Sequence, residues 1–188
     1  RLPEGMHYPI LPPAQPSSVG PDDVEGVEVL GYGCPQCSPP EPFAERWEQS
    51  GTPASTEVVG MPAALHPYWQ THARLFYAAE ALGVLEEVHG DIFREIHVNR
   101  NPLNTEALMV AFFGDHGVSR EDFLEAWNSF AVETNLKRSD SVVRRYRITG
   151  VPAVVVNGKY VTGADKAGGN EAVFEVVNFL VEKEKRRL

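Results

Sequence analysis

The only two cysteines of this 188-residue chain, Cys34 and Cys37, are separated by two residues and follow an apolar run from Val27 to Tyr32. A strand that ends in Cys-x-x-Cys and opens a helix places the first sulfur at the helix N-terminus. Unpaired backbone N–H groups and the positive end of the helix dipole favour an anion there. We therefore expect a lowered pKa for the Cys34 thiol. Cys37 follows about one helical turn later, within reach of a disulfide with Cys34.

Two other uses of this cysteine pair fit the sequence less well. A zinc site needs four ligands, and neither a second Cys-x-x-Cys nor a closely spaced histidine pair is present. A purely structural disulfide would close a very short loop, where the gain in chain entropy is small. The motif therefore favours a redox dithiol, and we expect no bound metal. The six histidines are scattered along the chain, at His7, His66, His72, His89, His97 and His116.

Size and charge limit the classes of protein that the chain can represent. Its length suits one large domain, or one domain with an insertion, and 43% hydrophobic residues can form a core without cross-links. A net charge of −9 argues against nucleic acid or an anionic membrane surface as a partner. No apolar run approaches the length of a membrane span. Arg1–Glu4 has no apolar stretch behind it, so we expect a mature or trimmed form.

Prolines divide the N-terminal third of the chain. Residues 1–23 are rich in proline, glycine and serine, which predicts an extended surface arm with a short edge strand near Tyr8–Leu11. Three prolines at positions 39, 40 and 42 cannot lie within one regular helix. We therefore expect a short helical turn after Cys34, then a break, and a second helical piece over Pro40–Gln49.

The order of the elements predicts an α/β domain that is split by a helical insertion. Hydrophobic periodicity places strand patterns at both ends of the chain and helices between them. Asn157-Gly158 is the sequence signal of a type I′ hairpin turn. The predicted strands are Val24–Gly31, Ser55–Val59, Ala153–Val156 and Lys159–Thr162. The predicted helices are His66–Leu82, Val84–Val98, one capped by Asn104 or Thr105 and ending near Gly117, one starting at Ser119, Val132–Tyr146 and Glu171–Arg187. The aromatic residues expected in the core are Trp69, Phe112, Phe113, Phe123, Trp127 and Phe130.

Three motifs together give the chain a family resemblance. They are Gly33–Cys37 after a strand, Val151-Pro152 before a hairpin, and the helical stretches Glu125–Phe130 and Tyr77–Gly83. With them, the chain resembles the DsbA-type thiol:disulfide oxidoreductases of the thioredoxin superfamily. The resemblance implies a thioredoxin fold with an inserted helical domain. We expect residues 1–61 and 139–188 to form the thioredoxin-fold domain, with 1–23 as its N-terminal arm, and residues 62–138 to form the insertion.

The resemblance also implies an activity and its partners. Cys34 and Cys37 would be the catalytic pair, with Pro35 and Gln36 as the dipeptide between them, and no cofactor is expected. The enzyme would donate its disulfide to reduced, unfolded secreted polypeptides. A quinone-linked, DsbB-like membrane partner would reoxidise it. The implied location is the bacterial periplasm, and we expect a monomer that does not bind nucleic acid.

Substrate binding is implied at a proline far along the chain. In the family, the proline that matches Pro152 is cis and lies beside the disulfide, and X–Pro is the bond at which cis is least costly. The backbone of the preceding residue, here Val151, would hydrogen-bond an extended client strand. We further expect clients to contact apolar surface around Tyr32, Pro35 and the insertion.

Three features depart from the family pattern: the second strand lacks a lysine, the dipeptide between the cysteines lacks a histidine, and a proline cluster follows Cys37. Glu28 falls where the family keeps a buried acid, which would have a raised pKa and relay protons to Cys37. The family often pairs this acid with a lysine on the next strand, but Ser55–Val59 contains none. Many members carry histidine between the cysteines, whereas Gln36 brings no charge. We therefore expect Cys34 to be less acidic, and the protein a weaker oxidant, than in those members.

Other functions remain compatible with the same residues. A disulfide reductase or isomerase can have this fold, although no dimerisation domain of the dimeric isomerases is seen. Glutathione-dependent transferases share the helical insertion but lack a Cys-x-x-Cys pair. A peptide-binding chaperone module whose disulfide is only structural belongs to a different class. The redox potential separates these alternatives, since a value below about −300 mV indicates a structural bridge.

Overall fold

A four-stranded sheet contains the strands that were expected at both ends of the chain. The computed structural model describes residues 23–37, 56–163 and 170–186. The strands are β1 (Val24–Leu30), β2 (Thr56–Pro62), β3 (Ala153–Val156) and β4 (Tyr160–Gly163), arranged in the order β2-β1-β3-β4. The predicted arm, the Tyr8–Leu11 strand, the proline break and the Pro40–Gln49 helix lie outside the described residues.

Two of the neighbouring strand pairs in the sheet are antiparallel. Val29 pairs with Ala153 across β1 and β3, and Val156 pairs with Tyr160 across β3 and β4. Asn157 and Gly158 have φ angles of 52° and 67°, and the Lys159 N–H donates to the Val156 carbonyl at 3.1 Å. Both central residues have positive φ, as a type I′ turn requires. The hairpin prediction is therefore confirmed.

The C-terminal helix packs against the sheet and forms a hydrophobic core with it. Helix α6 (Asn170–Lys185) contacts β1, β3 and β4. Its buried apolar residues recur every three or four positions, the spacing of one helical face, and meet the valines of the strands. The cluster consists of Val24, Val154, Val156, Tyr160, Val173, Phe174, Val176, Val177, Leu180 and Val181.

Five helices lie between β2 and β3. They are α1 (Trp69–Ala81), α2 (Leu85–His97), α3 (Glu106–Asp115), α4 (Arg120–Trp127) and α5 (Phe130–Arg145). The Thr105 hydroxyl accepts from the Leu108 N–H at 3.3 Å, and the Ser119 hydroxyl accepts from the Asp122 N–H at 3.1 Å. Side-chain oxygens at the N-cap satisfy donors that the helix leaves unpaired, so both starts were visible in the sequence.

Two details of the helical region differ from expectation. Helix α1 begins three residues after His66 because His66–Tyr68 form a turn, in which the Trp69 N–H donates to the His66 carbonyl at 2.9 Å. Phe130 is 87% exposed, so its assignment to the core is wrong. It precedes the fully buried Val132 by two positions on α5, and two positions lie on nearly opposite sides of a helix.

The described residues form two compact units. One contains β1, β3, β4, α6 and β2 as far as Met61, together with the chain from Val143. The other contains the helices between Pro62 and Val142, together with residues 31–37. The segment that carries both cysteines thus belongs to the helical unit. The domain boundaries expected from the sequence, 1–61 and 139–188 against 62–138, stay a prediction. No helix in the described ranges is both long and apolar enough to span a membrane.

Candidate active site

Two consecutive turns present the cysteines. After β1 ends at Leu30, the Cys34 N–H donates to the Gly31 carbonyl at 3.1 Å. The Cys37 N–H then donates to the Cys34 carbonyl at 3.1 Å, within a 3-10 turn over Pro35–Cys37. Proline suits the first position of such a turn, because its missing N–H has no partner to lose there. The short helical turn predicted after Cys34 is therefore present, as a 3-10 turn.

Both cysteines are in the thiol form in this structure, and both residues are buried. Cys34 is 4% exposed and Cys37 is 3% exposed, so residue exposure does not single out Cys34 as the accessible one. The pKa of Cys34 is lowered to about 7, chiefly because the Cys37 thiol donates a hydrogen bond to its sulfur. Burial opposes this shift, while the backbone N–H groups of Cys37 and Gln36 add to it.

The direction of this pKa shift was predicted, but its main cause was not. A neighbouring thiol contributes most, and local N–H groups of a three-residue turn contribute the rest. A pKa lowered to about 7 makes thiolate available at neutral pH, where an ordinary cysteine is mostly protonated. Since the thiolate is the reactive form, Cys34 can act as a nucleophile and also leave readily from a disulfide.

Gln36 interacts with the protonated form of Cys34. The Cys34 thiol donates to Oε1 of Gln36, with 3.6 Å between sulfur and oxygen. This contact requires the proton on sulfur, so it favours the thiol over the thiolate. To stabilise the thiolate, the amide must turn and present its NH₂ group. The exposed Gln36 side chain therefore does not replace a cationic histidine.

The Val151–Pro152 peptide bond is cis, as the resemblance implies. Both residues are half-buried and directly precede β3. Ala153 pairs with Val29, so the start of β3 lies beside the end of β1. The role of Val151 and Pro152 in binding substrate stays a prediction.

The acid of interest in β1 is only half-buried. Glu28 pairs with Val154 in the sheet, and strand β2 carries no lysine, as the sequence indicated. The buried acid of β1 is Glu25, which is 2% exposed and which the sequence reasoning did not single out. A proton-relay role for Glu28 stays a prediction.

Tyr32, two residues before Cys34, is held in the helical unit. It is 1% exposed, so the expectation that it offers apolar surface to clients is wrong. Its hydroxyl and Nδ1 of His89 share a hydrogen bond of 2.7 Å, and its carbonyl accepts from Nε2 of His97 at 2.7 Å. The ring centroids of Tyr32 and Phe93 lie 4.9 Å apart.

A sequence signal for this cluster existed. His89, Phe93 and His97 recur every four residues, which places them on one face of α2. His72 of α1 lies close by, with a centroid distance of 6.5 Å to Tyr32, and its Nε2 donates to the Pro102 carbonyl at 2.9 Å. Histidine, cysteine and carboxylate side chains of the described ranges form no group of three that could hold a metal ion.

These features define a class of protein, the thioredoxin-like dithiol oxidoreductases. They are a thiol of lowered pKa beside a second thiol, a cis proline before β3, and a four-stranded sheet with a helical region. The chain belongs to the DSBA-like thioredoxin domain family, whose model matches residues 53–169. It is a thiol:disulfide oxidoreductase. The matched range begins after Cys37, so the model itself does not include the cysteines.

Relatives extend the similarity over most of the chain. The chain is 36% identical to the thiol:disulfide interchange protein DsbA of Pseudomonas aeruginosa, over 88% of this chain and 78% of that protein. It is also 36% identical to the protein of the same name from Azotobacter vinelandii, over 96% of this chain and 84% of that one. The crystal structure of Pseudomonas aeruginosa DsbA has a TM-score of 0.90 at 35% identity and covers 99% of this chain and 96% of its own. That of DsbA from Xylella fastidiosa has a TM-score of 0.86 at 25% identity and covers 96% of both chains.

Proposed function

We propose that Cys34 and Cys37 are the redox pair of this oxidoreductase and that their disulfide is donated to reduced, unfolded polypeptides. The observation that carries the redox pair is the arrangement of two thiols on one turn, where Cys37 donates to the Cys34 sulfur and lowers the pKa of Cys34 to about 7. Donation of the disulfide is inferred from the similarity to DsbA proteins. A thiol of this acidity is a better leaving group than an ordinary cysteine, whose pKa is about 8.5.

The first step forms a mixed disulfide. A client thiolate attacks Sγ of Cys34 in the oxidised enzyme, the Cys34–Cys37 bond breaks, and Cys37 leaves with the bonding electrons and takes a proton. In the second step, another client thiolate attacks the client sulfur and expels Cys34 as a thiolate. The client loses two electrons and forms one disulfide, and the enzyme gains those two electrons as a dithiol.

The setting of the reaction follows from the family. The cis Val151–Pro152 segment is proposed to hold the client backbone, and Pro35 and Gln36 form the exposed dipeptide next to Cys34. A quinone-linked, DsbB-like membrane protein is the proposed reoxidising partner. The proposed compartment is the periplasm, and the proposed state is a monomer.

The pKa of Cys34 is also compatible with a second candidate function, that of a disulfide reductase or isomerase. Dithiol enzymes range from about −270 mV, with an attacking thiol of pKa about 7, to about −120 mV, with a pKa of about 3.5. A pKa of about 7 lies at the reducing end of this range. This observation favours a weaker oxidant, and it equally suits a reductase or isomerase of the same fold.

Equilibration with glutathione buffers tests both candidates. We expect a reduction potential between the two ends of that range. A value near the reducing end would assign the chain to the reductases. A value below about −300 mV would indicate a structural bridge and refute both enzyme functions for this cysteine pair.

Trapping identifies which of the two sulfurs exchanges with client sulfurs. The variant Cys37→Ser should accumulate a mixed disulfide between Cys34 and a peptide thiol when it meets an oxidised peptide, because no second thiol releases the adduct. The matched variant Cys34→Ser should accumulate much less, since its remaining thiol lacks the acidified position. Equal accumulation in the two variants would contradict the assignment of Cys34.

A further inference from the structure

Two helices of the same unit, α1 and α2, contact the turn that precedes Cys34. The indole of Trp69 packs against Gly31 and Gly33, where a Cβ atom would lie 3.0 and 2.7 Å from ring atoms. Tyr32, between these glycines, is turned into the helical unit and almost completely buried. The Gly31 carbonyl of the same turn accepts from the Cys34 N–H.

One face of α2 provides the contacts to Tyr32. His89 bonds the hydroxyl, His97 donates to the backbone carbonyl, and Phe93 between them packs against the ring. His97 also stacks on Phe93, with an interplanar angle of 21°, and this contact helps to fix its ring. Three consecutive turns of α2 thus contact both the side chain and the main chain of Tyr32.

We propose that His89 and His97 are positioning residues for thiol–disulfide exchange, because they hold Tyr32 and thereby the turn from which Cys34 follows. Neither histidine is assigned to contact the substrate or the reacting sulfurs. The His97 contact matters most, since it fixes the main chain itself, two residues before the sulfur.

The link to reactivity is geometric. The Cys34 thiolate is stabilised by groups that belong to the next three residues, the Cys37 thiol and the N–H groups of Gln36 and Cys37. Such donors stabilise charge only when they are held in the right direction, and their effect falls when the backbone gains freedom. A looser turn at Tyr32 lets Cys34 shift against these donors, so the thiolate loses part of its stabilisation.

Two substitutions at position 97 test the hydrogen bond. The Gln side chain places an N–H donor near the position of Nε2, whereas Leu removes the donor. In His97→Leu we expect the pKa of Cys34 to rise by about half a unit or more, and the equilibrium with glutathione to move about threefold or more towards the enzyme disulfide. In His97→Gln both quantities should stay near those of the unmodified protein. The pKa is read from the ultraviolet absorbance of the thiolate.

A second variant keeps the test valid if His97→Leu does not fold. Tyr32→Phe retains the ring and the main-chain carbonyl and loses only the bond to His89, so it should shift both quantities in the same direction by a smaller amount. A matched control is His116→Leu, which removes a histidine of the same unit that bonds the Phe112 carbonyl and Asp91. It should lower stability and leave the pKa of Cys34 unchanged.

The outcomes separate this inference from the proposed function on which it rests. If folded His97→Leu or Tyr32→Phe keeps the pKa and the equilibrium constant of the unmodified protein, the positioning role is refuted. The same holds if His97→Gln shifts as far as His97→Leu, since the hydrogen bond is then not what matters. If the unmodified protein has no thiol that titrates below about 8.5, the proposed function itself fails.

Discussion

Nε1 of Trp69 lies 2.7 Å from the position that a Cβ atom would take at Gly33. This distance is shorter than a non-bonded contact between carbon and nitrogen allows, so position 33 accepts no side chain while the indole stays in place. The indole lies at the start of α1 and packs against other residues of its unit, including His66. These contacts restrict movement of the indole away from Gly33.

Gly33→Ala should therefore destabilise the protein and disturb Cys34. We expect a loss of about 1–3 kcal/mol in the free energy of unfolding, the usual cost of overpacking, and a slower oxidation of a reduced peptide. Urea unfolding and a stopped-flow assay measure the two effects. The control is Gly90→Ala in α2, where a Cβ meets nothing within 4 Å. It should stabilise by about 0.5–1 kcal/mol through helix propensity alone. Equal stability of both variants would contradict the contact with Trp69.

Removal of the Cys37 thiol should raise the pKa of Cys34. The Cys37 thiol is the largest cause of the lowered value, so Cys37→Ala should bring Cys34 towards its ordinary range near 9. Cys37→Ser keeps an O–H donor at the same place and should stay closer to 7. The rate of alkylation by iodoacetamide measures the pKa, because it rises about tenfold per pH unit below the pKa and levels off above it. Identical profiles for the two variants would show that Cys37 does not donate to Cys34.

Acid should weaken the helical unit through His89. Burial lowers the pKa of His89 from 6.5 to about 4, and burial also lowers the pKa of His72. Between pH 6.5 and about pH 4, the unfolded chain binds a proton at His89 that the folded chain does not bind. The free energy of unfolding therefore falls as the pH drops through this range. The loss from His89 is at most about 3 kcal/mol, because a difference of one pKa unit between the folded and unfolded chain corresponds to about 1.4 kcal/mol. Urea unfolding at neutral pH and at about pH 5 should show a smaller loss for His89→Gln than for the unmodified protein. An equal loss in both would contradict the prediction.

The ion pair between Lys159 and Glu184 fastens the β3–β4 turn to α6. Nζ of Lys159 lies 2.7 Å from Oε2 of Glu184, and the Asn157 amide donates to the same oxygen at 3.0 Å. Burial works to raise the pKa of Glu184, but the hydrogen bonds from Lys159 and Asn157 outweigh it and hold the pKa below 4.5. Glu184 therefore contributes stability above its unfolded pKa, and this contribution is lost as the pH falls through the folded value.

Lys159→Met should leave the Glu184 carboxylate buried and poorly compensated. We expect a loss of about 1–3 kcal/mol in the free energy of unfolding at neutral pH, less than for a fully buried pair because Lys159 is 30% exposed. Adding Glu184→Leu to Lys159→Met should recover part of this loss, since the lone charge is then gone. Losses that simply add in a double-mutant cycle would show that the two side chains do not interact.

Elements with a local signal were well predicted from the sequence. The Asn157-Gly158 turn, the caps at Thr105 and Ser119 and the first strand each depend on residues that are close together in the chain. The α/β class with a helical insertion also followed from the order of the elements, whereas the thioredoxin fold and the cis Val151–Pro152 bond came from the family resemblance. The motifs that carry this resemblance extend from Gly33 to Pro152 and so include the helical region.

Contacts between distant residues were not predicted. Tyr32 lies 57 residues from His89 and 65 residues from His97, so strand periodicity gave no indication that it is held by α2. The main cause of the low pKa of Cys34 was missed for a different reason. It depends on how a neighbouring thiol points, which spacing alone does not determine. Phe130 was misplaced because the predicted helix began two residues too late, which hid its position opposite Val132.

The pKa of Cys34 also determines how the midpoint reduction potential of the dithiol depends on pH. Below about pH 7, reduction of the disulfide takes up two protons with two electrons, and the midpoint potential should fall by about 59 mV per pH unit. Above it, while Cys37 keeps its proton, only one proton accompanies the two electrons, and the slope should halve to about 30 mV. The bend in this plot falls at the titration of a single sulfur. An alkaline environment would therefore alter the driving force of the enzyme only half as steeply as an acidic one.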